Sequence, residues 1–396
     1  MPVTMSLKVA IGKSRKGDIA EAAHSCMAQI DIAEVTLALL FSTPAFATQS
    51  LPKNILSALG AEVPLIGCSA MGLITPEGTQ NEGLILVLTA SPSLKASCGE
   101  VSLDNPKDAF LSGQELGSHL ISGVTGYRRD ICLLLSDGLS EKTSGVIQGL
   151  QNVLGRSFPF IGAGASDNFA FKQTAQFYNG TLLRKSAVAA LLSGKLSYAL
   201  GIRHGWKPLG KIHTITRSYA NVIQSIDGKR AGLLYEDYFA KSLPELKKEI
   251  LRVNILYPLG ISLEGENEYL LRNIISLNDD GSIITQGDVP QGSSIRIMIG
   301  TKESALSAAR QAAEQVKASL RDKEPSLAIV MSSASRARLL GRDIDEEFKV
   351  IRETLGKDVP LAGFYSYGEY APLGSTAYYG QTYLHNQTIA ILGIGE

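Results

Sequence analysis

Gly67-Cys68-Ser69-Ala70-Met71-Gly72 sets a thiol and a hydroxyl side by side between glycines. A nucleophile elbow, G-x-S-x-G, lifts a serine out of a sharp strand-to-helix turn. Here the closing glycine arrives one position late, and no histidine is marked by the sequence as the base. Cys68 acts as a nucleophile only if a neighbour lowers its pKa. Two other readings stay open: a structural turn, or a loop that offers its backbone N–H groups and Ser69 to a ligand. Gly162-Ala163-Gly164-Ala165-Ser166-Asp167 begins like the dinucleotide fingerprint, but Asp167 takes the place of the third glycine and its charge would repel a pyrophosphate. This stretch reads instead as a turn that brings Ser166 and Asp167 to a pocket.

Ser136-Asp137-Gly138 ends a strand, where sheet proteins place binding groups and where an Asx-turn equally well starts a helix. Arg336 follows a late apolar run and can pair with a carboxylate. The densest chemistry lies between Val359 and Thr388, where Gly363, Gly368, Gly374 and Gly380 alternate with tyrosines, Glu369, His385 and Asn386. Glycine lets backbone approach a ligand, and tyrosine pairs an apolar face with a polar tip. The segment is either the wall of a pocket or a hairpin covering a sheet. As a wall, it presents Tyr365, Tyr367, Glu369 and Asn386, with Arg336 available to a ligand carboxylate. Glu369 beside tyrosine faces suits an ammonium. His385, without a second ligand nearby, reads as a hydrogen-bonded structural residue.

These groups sit on elements that recur. An amphipathic helix is expected over Gly17 to Ile30, then a strand EVTLALLFS, a helix from about Ser50 to Leu59, and a strand GLILVLTA. The same order follows Ala109 to Ile121 through ICLLLSDG, and again from ESALSAARQAAEQVKASL through LAIVMSS to IAILGI. Val63-Pro64-Leu65-Ile66-Gly67, Phe158-Pro159-Phe160-Ile161-Gly162 and Val359-Pro360-Leu361-Ala362-Gly363 share one pattern, in which proline opens a strand and glycine allows a sharp turn at its end. From the strand-end serines Ser42, Ser136 and Ser332 to these prolines the spacing is 22, 23 and 28 residues, which argues for one supersecondary unit used three times. Between the second and third units, residues 230 to 300 carry β-patterned runs divided by the Asp279-Asp280-Gly281 and Pro290-Gln291-Gly292 turns, which predicts mostly antiparallel strands.

The 396 residues allow two or three domains, and 44% hydrophobic content is ample for their cores. Lysine and arginine, 38 together, balance 38 acidic residues, so charge gives no case for nucleic acid or an anionic membrane as the main partner. Cys26, Cys68, Cys98 and Cys132 form no CxxC pair and suggest neither a disulfide framework nor a metal site. No apolar run has the length of a signal peptide core or a membrane helix. The expectation is a cytoplasmic protein with no cofactor and no membrane insertion.

LALLFSTPAF followed by PLIGCSAMGLIT resembles the FIST N-terminal domain, and YPLG, LLRNIISLNDDGSI, the VPQG turn and GFYSYGEYAP…HNQT resemble the FIST C-terminal domain. The resemblance implies a sensory role in signal transduction, with a small molecule bound and amino acids favoured as the ligand. A signalling protein is then the expected partner, and no output module is recognised in the chain. The family often carries C-x-x-R after its late buried strand; here Ser333-Ala334-Ser335-Arg336 replaces the thiol and keeps Arg336. Taken together, an α+β protein of two tandem layered domains is expected, 30–228 and 229–390, with mixed sheets covered by helices in an α-β-β-α arrangement. Its ligand-binding residues are expected among Cys68, Ser69, Ser166, Asp167, Arg336, Tyr365, Tyr367, Glu369 and Asn386. The function expected is binding, not catalysis. The alternatives are an interaction scaffold and a hydrolase or acyl transferase using Cys68 or Ser69.

Overall fold

The apolar runs Val35–Ser42, Arg129–Asp137 and Leu327–Ser333 are strands buried along most of their length, as strands packed on both faces must be. In the computed structural model, which describes residues 7–104, 108–266, 268–321, 324–373 and 380–395, each pairs in parallel with the strand that follows the repeated proline. Those partners are Leu65–Ser69, Phe160–Ala165 and Leu361–Ser366. Gly374 and its neighbours up to residue 379, part of the tyrosine- and glycine-rich segment, lie outside the described residues.

The repeated unit is longer than its sequence signature. Each begins with an outer strand, Lys8–Ser14, Lys95–Ser102 or Ser197–Arg203, and ends with a closing strand, Leu84–Ala90, Ser186–Ser193 or Ile389–Gly395. In each sheet the order is outer, closing, central and post-proline strand. Two helices per unit cover the outside: Ile19–Met27 with Leu51–Leu59, Ala109–Ser122 with Thr143–Leu154, and Lys302–Ser319 with Ile344–Leu355. Helix Lys302–Ser319 shows why they stay there: Ala305, Ala308, Ala309, Ala312, Ala313 and Val316 are buried on one stripe, and small residues let it lie close on the sheet. The longer spacing in the third unit is taken up by an extra helix, Ala334–Leu340.

A short hairpin follows each post-proline strand and completes a different sheet. Leu73–Thr75 with Gly78–Gln80 joins the third sheet beside Leu361–Ser366, and Gln176–Tyr178 with Thr181–Leu183 joins the first beside Leu65–Ser69. Glu369–Pro372 with Thr382–His385 joins the second beside Phe160–Ala165. The exchange is cyclic and makes three six-stranded sheets. Their inner faces share one core, with Leu39 and Phe41, Leu133 and Leu135, and Ile329 and Met331 facing inward from the three central strands. The fold is α+β, with mixed sheets covered by helices, and the three six-stranded sheets face one shared core.

The repeated glycines do a different job from the turn expected of them. Gly67, Gly162 and Gly363 lie inside their strands, opposite Leu40, Leu134 and Val330. A Cβ at these positions would come within 1.9, 1.8 and 1.9 Å of those residues' carbonyl oxygens. Glycine is required because the strand pair approaches closely, not because the chain bends.

The β-rich insert is an eight-stranded antiparallel sheet with an apolar core of its own, built on strands such as Lys207–Tyr219 and Ser294–Ile299. It enters the third unit between its outer strand and its first helix. The expected division at 228/229 falls in the turn between Val222–Ile226 and Lys229–Arg230, and pairing crosses it: Ser197–Arg203 is bonded to Ile389–Gly395, and Lys207–Tyr219 to Ser294–Ile299.

Candidate functional site

The loops after the three post-proline strands meet on the axis. Ser166 donates through its backbone N to Ser69 O at 3.0 Å and through Oγ to Tyr365 O at 2.6 Å, while its Oγ accepts Met71 N at 2.7 Å. Ser69 Oγ donates to Ser166 O and accepts Ala175 N. Tyr365 N donates to Gly72 O, and Tyr367 N to Gly164 O. Ser69 and Ser166 therefore fasten the three units together and present nothing to a ligand.

On one side of this junction, at the carboxyl ends of strands Arg129–Asp137, Leu327–Ser333 and Leu361–Ser366, the insert leaves a cavity of about 730 Å³. Cavities at strand carboxyl ends are where sheet proteins hold ligands. The core contributes Asp137, Thr143, Ser335, Ser366, Tyr367 and Tyr370, and the insert contributes Asn254, Asn273, Ile275 and Gln286. Phe171, Leu251 and Ile275, 56%, 40% and 52% exposed, give it an apolar mouth. The hydroxyl of Ser335, on a buried side chain, has no hydrogen-bond partner among the described residues. A second hollow of about 500 Å³, around Lys211, Asp227 and Lys229 on the insert, holds charges that pair locally, as in His213–Asp227 at 2.6 Å.

Of the residues expected to bind, Tyr367 lines this cavity. Its ring stacks on Phe171 at 5.2 Å, and its hydroxyl donates to Asp167 Oδ1 at 3.0 Å while accepting Phe169 N. Burial, then the Asp167 charge, pushes the phenol up. Asp167 lies one layer behind, accepting the backbone N–H groups of Phe171, Lys172 and Gln173, and so holds the loop that carries the aromatic wall. Glu369 is sealed behind Ser366. Oε1 accepts Ser366 Oγ at 2.6 Å, Oε2 accepts Thr388 N at 3.1 Å, and burial raises the carboxyl to about 7. Glu369 does not line the cavity, whereas Asp137 does, together with Tyr367 and Tyr370.

The remaining expectations are corrected by burial. Cys68 is enclosed in the shared apolar core, which pushes its thiol up and leaves it inert. Arg336 is fully buried: Glu347 takes Nε and Nη2 at 2.9 and 2.6 Å, and the carbonyls of His204 and Ala305 take Nη1 and Nη2, so it has no reach to a ligand. Tyr365 points into the apolar layer under helix Ile344–Leu355, away from the cavity. Asn386 Oδ1 accepts Asn273 N at 2.8 Å, tying the third unit to the insert. His385 is buried and lowered to about 4, its Nε2 donating to Ala371 O at 2.8 Å. The insert side of the cavity had no signal in the sequence. Asp137 had one: Oδ1 accepts Leu139 N in an Asx-turn, and the residue lines the cavity.

A FIST N domain matches residues 36–229, and a FIST C domain matches residues 231–372. The chain belongs to the FIST family. FIST domains are associated with sensory signal transduction. An uncharacterized protein of Mycobacterium tuberculosis is 25% identical over 395 residues, 95% of this chain and 98% of its own length. An uncharacterized protein of Methanocaldococcus jannaschii is 22% identical over 270 residues, 62% of this FIST chain and 51% of its own. Among solved structures, a cyanuric acid hydrolase from A. caulinodans is similar over 98% of both chains, with a TM-score of 0.38 and 9% identity. No helix among the described residues of this FIST protein is long and apolar enough to cross a membrane.

Proposed function

We propose that this FIST protein is a sensory module that binds a small molecule in the cavity between its threefold core and its insert, and that it is a binding protein, not an enzyme. One observation carries the reading: the cavity of about 730 Å³ has an aromatic inner wall, an apolar mouth and a few buried polar groups. That is the composition of small-molecule sites, where apolar surface gives affinity and few polar groups give orientation. Cys68 and Ser69, the candidate nucleophiles, are turned away from it. The ligand class implied by the family resemblance is an amino acid or a related metabolite. Two bodies that share a ligand, here the core and the insert, are suited to signalling, because a ligand touching both biases their relative position.

A thermal-shift screen of the full chain against amino acids, amines and common metabolites tests this. A ligand bound only by the folded state, at 100 times its dissociation constant, stabilises by about 2.7 kcal/mol. The expected result is a saturable shift that Ile275→Asp, at the exposed mouth, abolishes without changing the stability of the free protein. The second reading, a docking surface, is favoured by the exposed Phe171, Leu251 and Ile275. It gains if the screen is silent and the same variant loses a protein partner.

A further inference from the structure

The sign of the ligand follows from what lines the cavity. Its lining includes three acidic residues, Asp137, Glu141 and Asp288, and one lysine, the exposed Lys142, with the buried Arg272 guanidinium near Asp288 behind it. Glu141 precedes the N-terminus of helix Thr143–Leu154 and supplies the negative charge which that end of a helix attracts. Two of the lining amides are engaged, while Asn254 Nδ2 has no acceptor among the described residues. Asn273 Nδ2 is spent on Gln286 Oε1 at 3.0 Å, and Gln286 Nε2 on Tyr367 O at 3.0 Å.

Asp137 stands apart from the other two carboxylates because it lies inside, 6% exposed. Its Oδ1 is fixed by Leu139 N at 3.0 Å and by Thr174 Oγ1 at 2.7 Å. Oδ2 receives no hydrogen bond from any described residue, although the side chain is more than nine-tenths buried and borders the cavity. The oxygen opens on the cavity, where a ligand can bring the donor that the described residues do not supply. The next residue, Gly138, presses on the aromatic wall: a Cβ there would meet Tyr367 Cβ at 2.7 Å. Asp137 lines the same cavity as the Tyr367 and Phe171 rings, whose planes are 20° apart.

We infer that the cavity takes a primary amine with an apolar or aromatic body and no carboxylate. The ammonium donates to Asp137 Oδ2 and lies near the rings, which attract cations, while the body fills the apolar space toward Ile275 and Leu251. This rests on the cavity being the ligand site, as proposed above, and departs from a free amino acid, whose carboxylate would meet an acidic lining.

The test uses four probes on the full chain by calorimetric titration: 2-phenylethylamine, 2-phenylethanol, 3-phenylpropanoate and L-phenylalanine. The amine is expected to bind tightest, and the alcohol about 10- to 100-fold more weakly for lack of the charged hydrogen bond. The propanoate is expected not to bind. Asp137→Asn keeps the acceptor for Leu139 and Thr174 and should erase the preference for amine over alcohol. Phe171→Ala, at an exposed ring that carries no part of the core, should weaken the amine and serves if Asp137→Asn does not fold. Phenylalanine or the propanoate binding as tightly as the amine, or unchanged amine affinity in either folded variant, overturns the inference. Binding of the alcohol and amine with equal affinity leaves the cavity as a site and removes ammonium recognition. Silence of all four overturns the amine, and silence of the wider screen as well removes the site itself.

Discussion

Glu369 and His385 face each other across the hairpin that closes the second sheet, and burial displaces both titrations. Glu369, raised to about 7, binds its proton more tightly folded than unfolded. Its contribution to stability is therefore complete below about pH 4.5 and is lost as pH rises through 7. His385 works the other way: held near 4, it favours the fold above its ordinary range and loses that contribution as pH falls. Protonated Glu369 can donate to Ser366 Oγ while Ser366 turns its hydrogen to Ser332 O, 3.2 Å away. Glu369→Gln reproduces that arrangement without a charge. It is expected to be more stable than the parent at pH 8 by up to about 3 kcal/mol, with the gain vanishing near pH 4.5. Urea midpoints at pH 4.5, 6 and 8 measure this, and a gain that does not change with pH would count against it. At the residue scale, side-chain types were legible without their surroundings. The carboxylate, the arginine and the thiol were all visible, but burial decides which of them meets a ligand. Arg336 shows the difference: its partner Glu347 lies on the next helix, and no pattern in the sequence distinguishes that pairing from a ligand's carboxylate.

Among elements, the repeated proline-to-glycine stretch was legible because proline and glycine punctuate wherever they occur. The reason for the glycine was not, since close approach of two strands leaves no mark on either alone. Gly363→Ala places a methyl group against the Val330 carbonyl and should cost about 3 kcal/mol, the upper range for overpacking. Gly380→Ala, where a Cβ meets nothing within 4 Å, should stay within about 0.5 kcal/mol. Equal effects in the two variants, read from denaturant curves, would show that the strands move apart freely. The exchange of hairpins between sheets escaped sequence reading for another reason. Strands such as Leu73–Thr75 and Gly78–Gln80 are three residues long, too short for alternation to register. Their partners are also distant in sequence, with Ile74 opposite Gly363.

At the scale of the molecule, the recurrence of one unit at three places was legible in the serine-to-proline spacing, while the gathering of the three units around one core, the cyclic exchange and the place of the insert were not. Each sheet contains strands of two units, so no unit owns a complete sheet. A fragment ending at residue 228 keeps most of the FIST N match but lacks the partners of Ser197–Arg203 and of the hairpin Leu73–Thr75 with Gly78–Gln80. It should show no cooperative urea transition and should be cut rapidly by protease, whereas the core of the full chain should unfold as one unit. A fragment that melts cooperatively would mean that the first two sheets stand alone. The insert also breaks the symmetry functionally. It enters one unit only, so one of three equivalent strand ends acquires a roof, and with it a cavity.

The cyclic hairpin exchange bears on how the chain is made. On the ribosome the first two units emerge early, yet the third sheet waits for Leu327–Ser333, Leu361–Ser366 and Ile389–Gly395, and the second waits for the hairpin beginning at Glu369. Until those strands are made, the nascent chain holds out unpaired, apolar strand edges, the surfaces most prone to join with copies of themselves. Yield in the cell should therefore respond to translation rate and to chaperone supply more strongly than the stability of the finished protein would suggest.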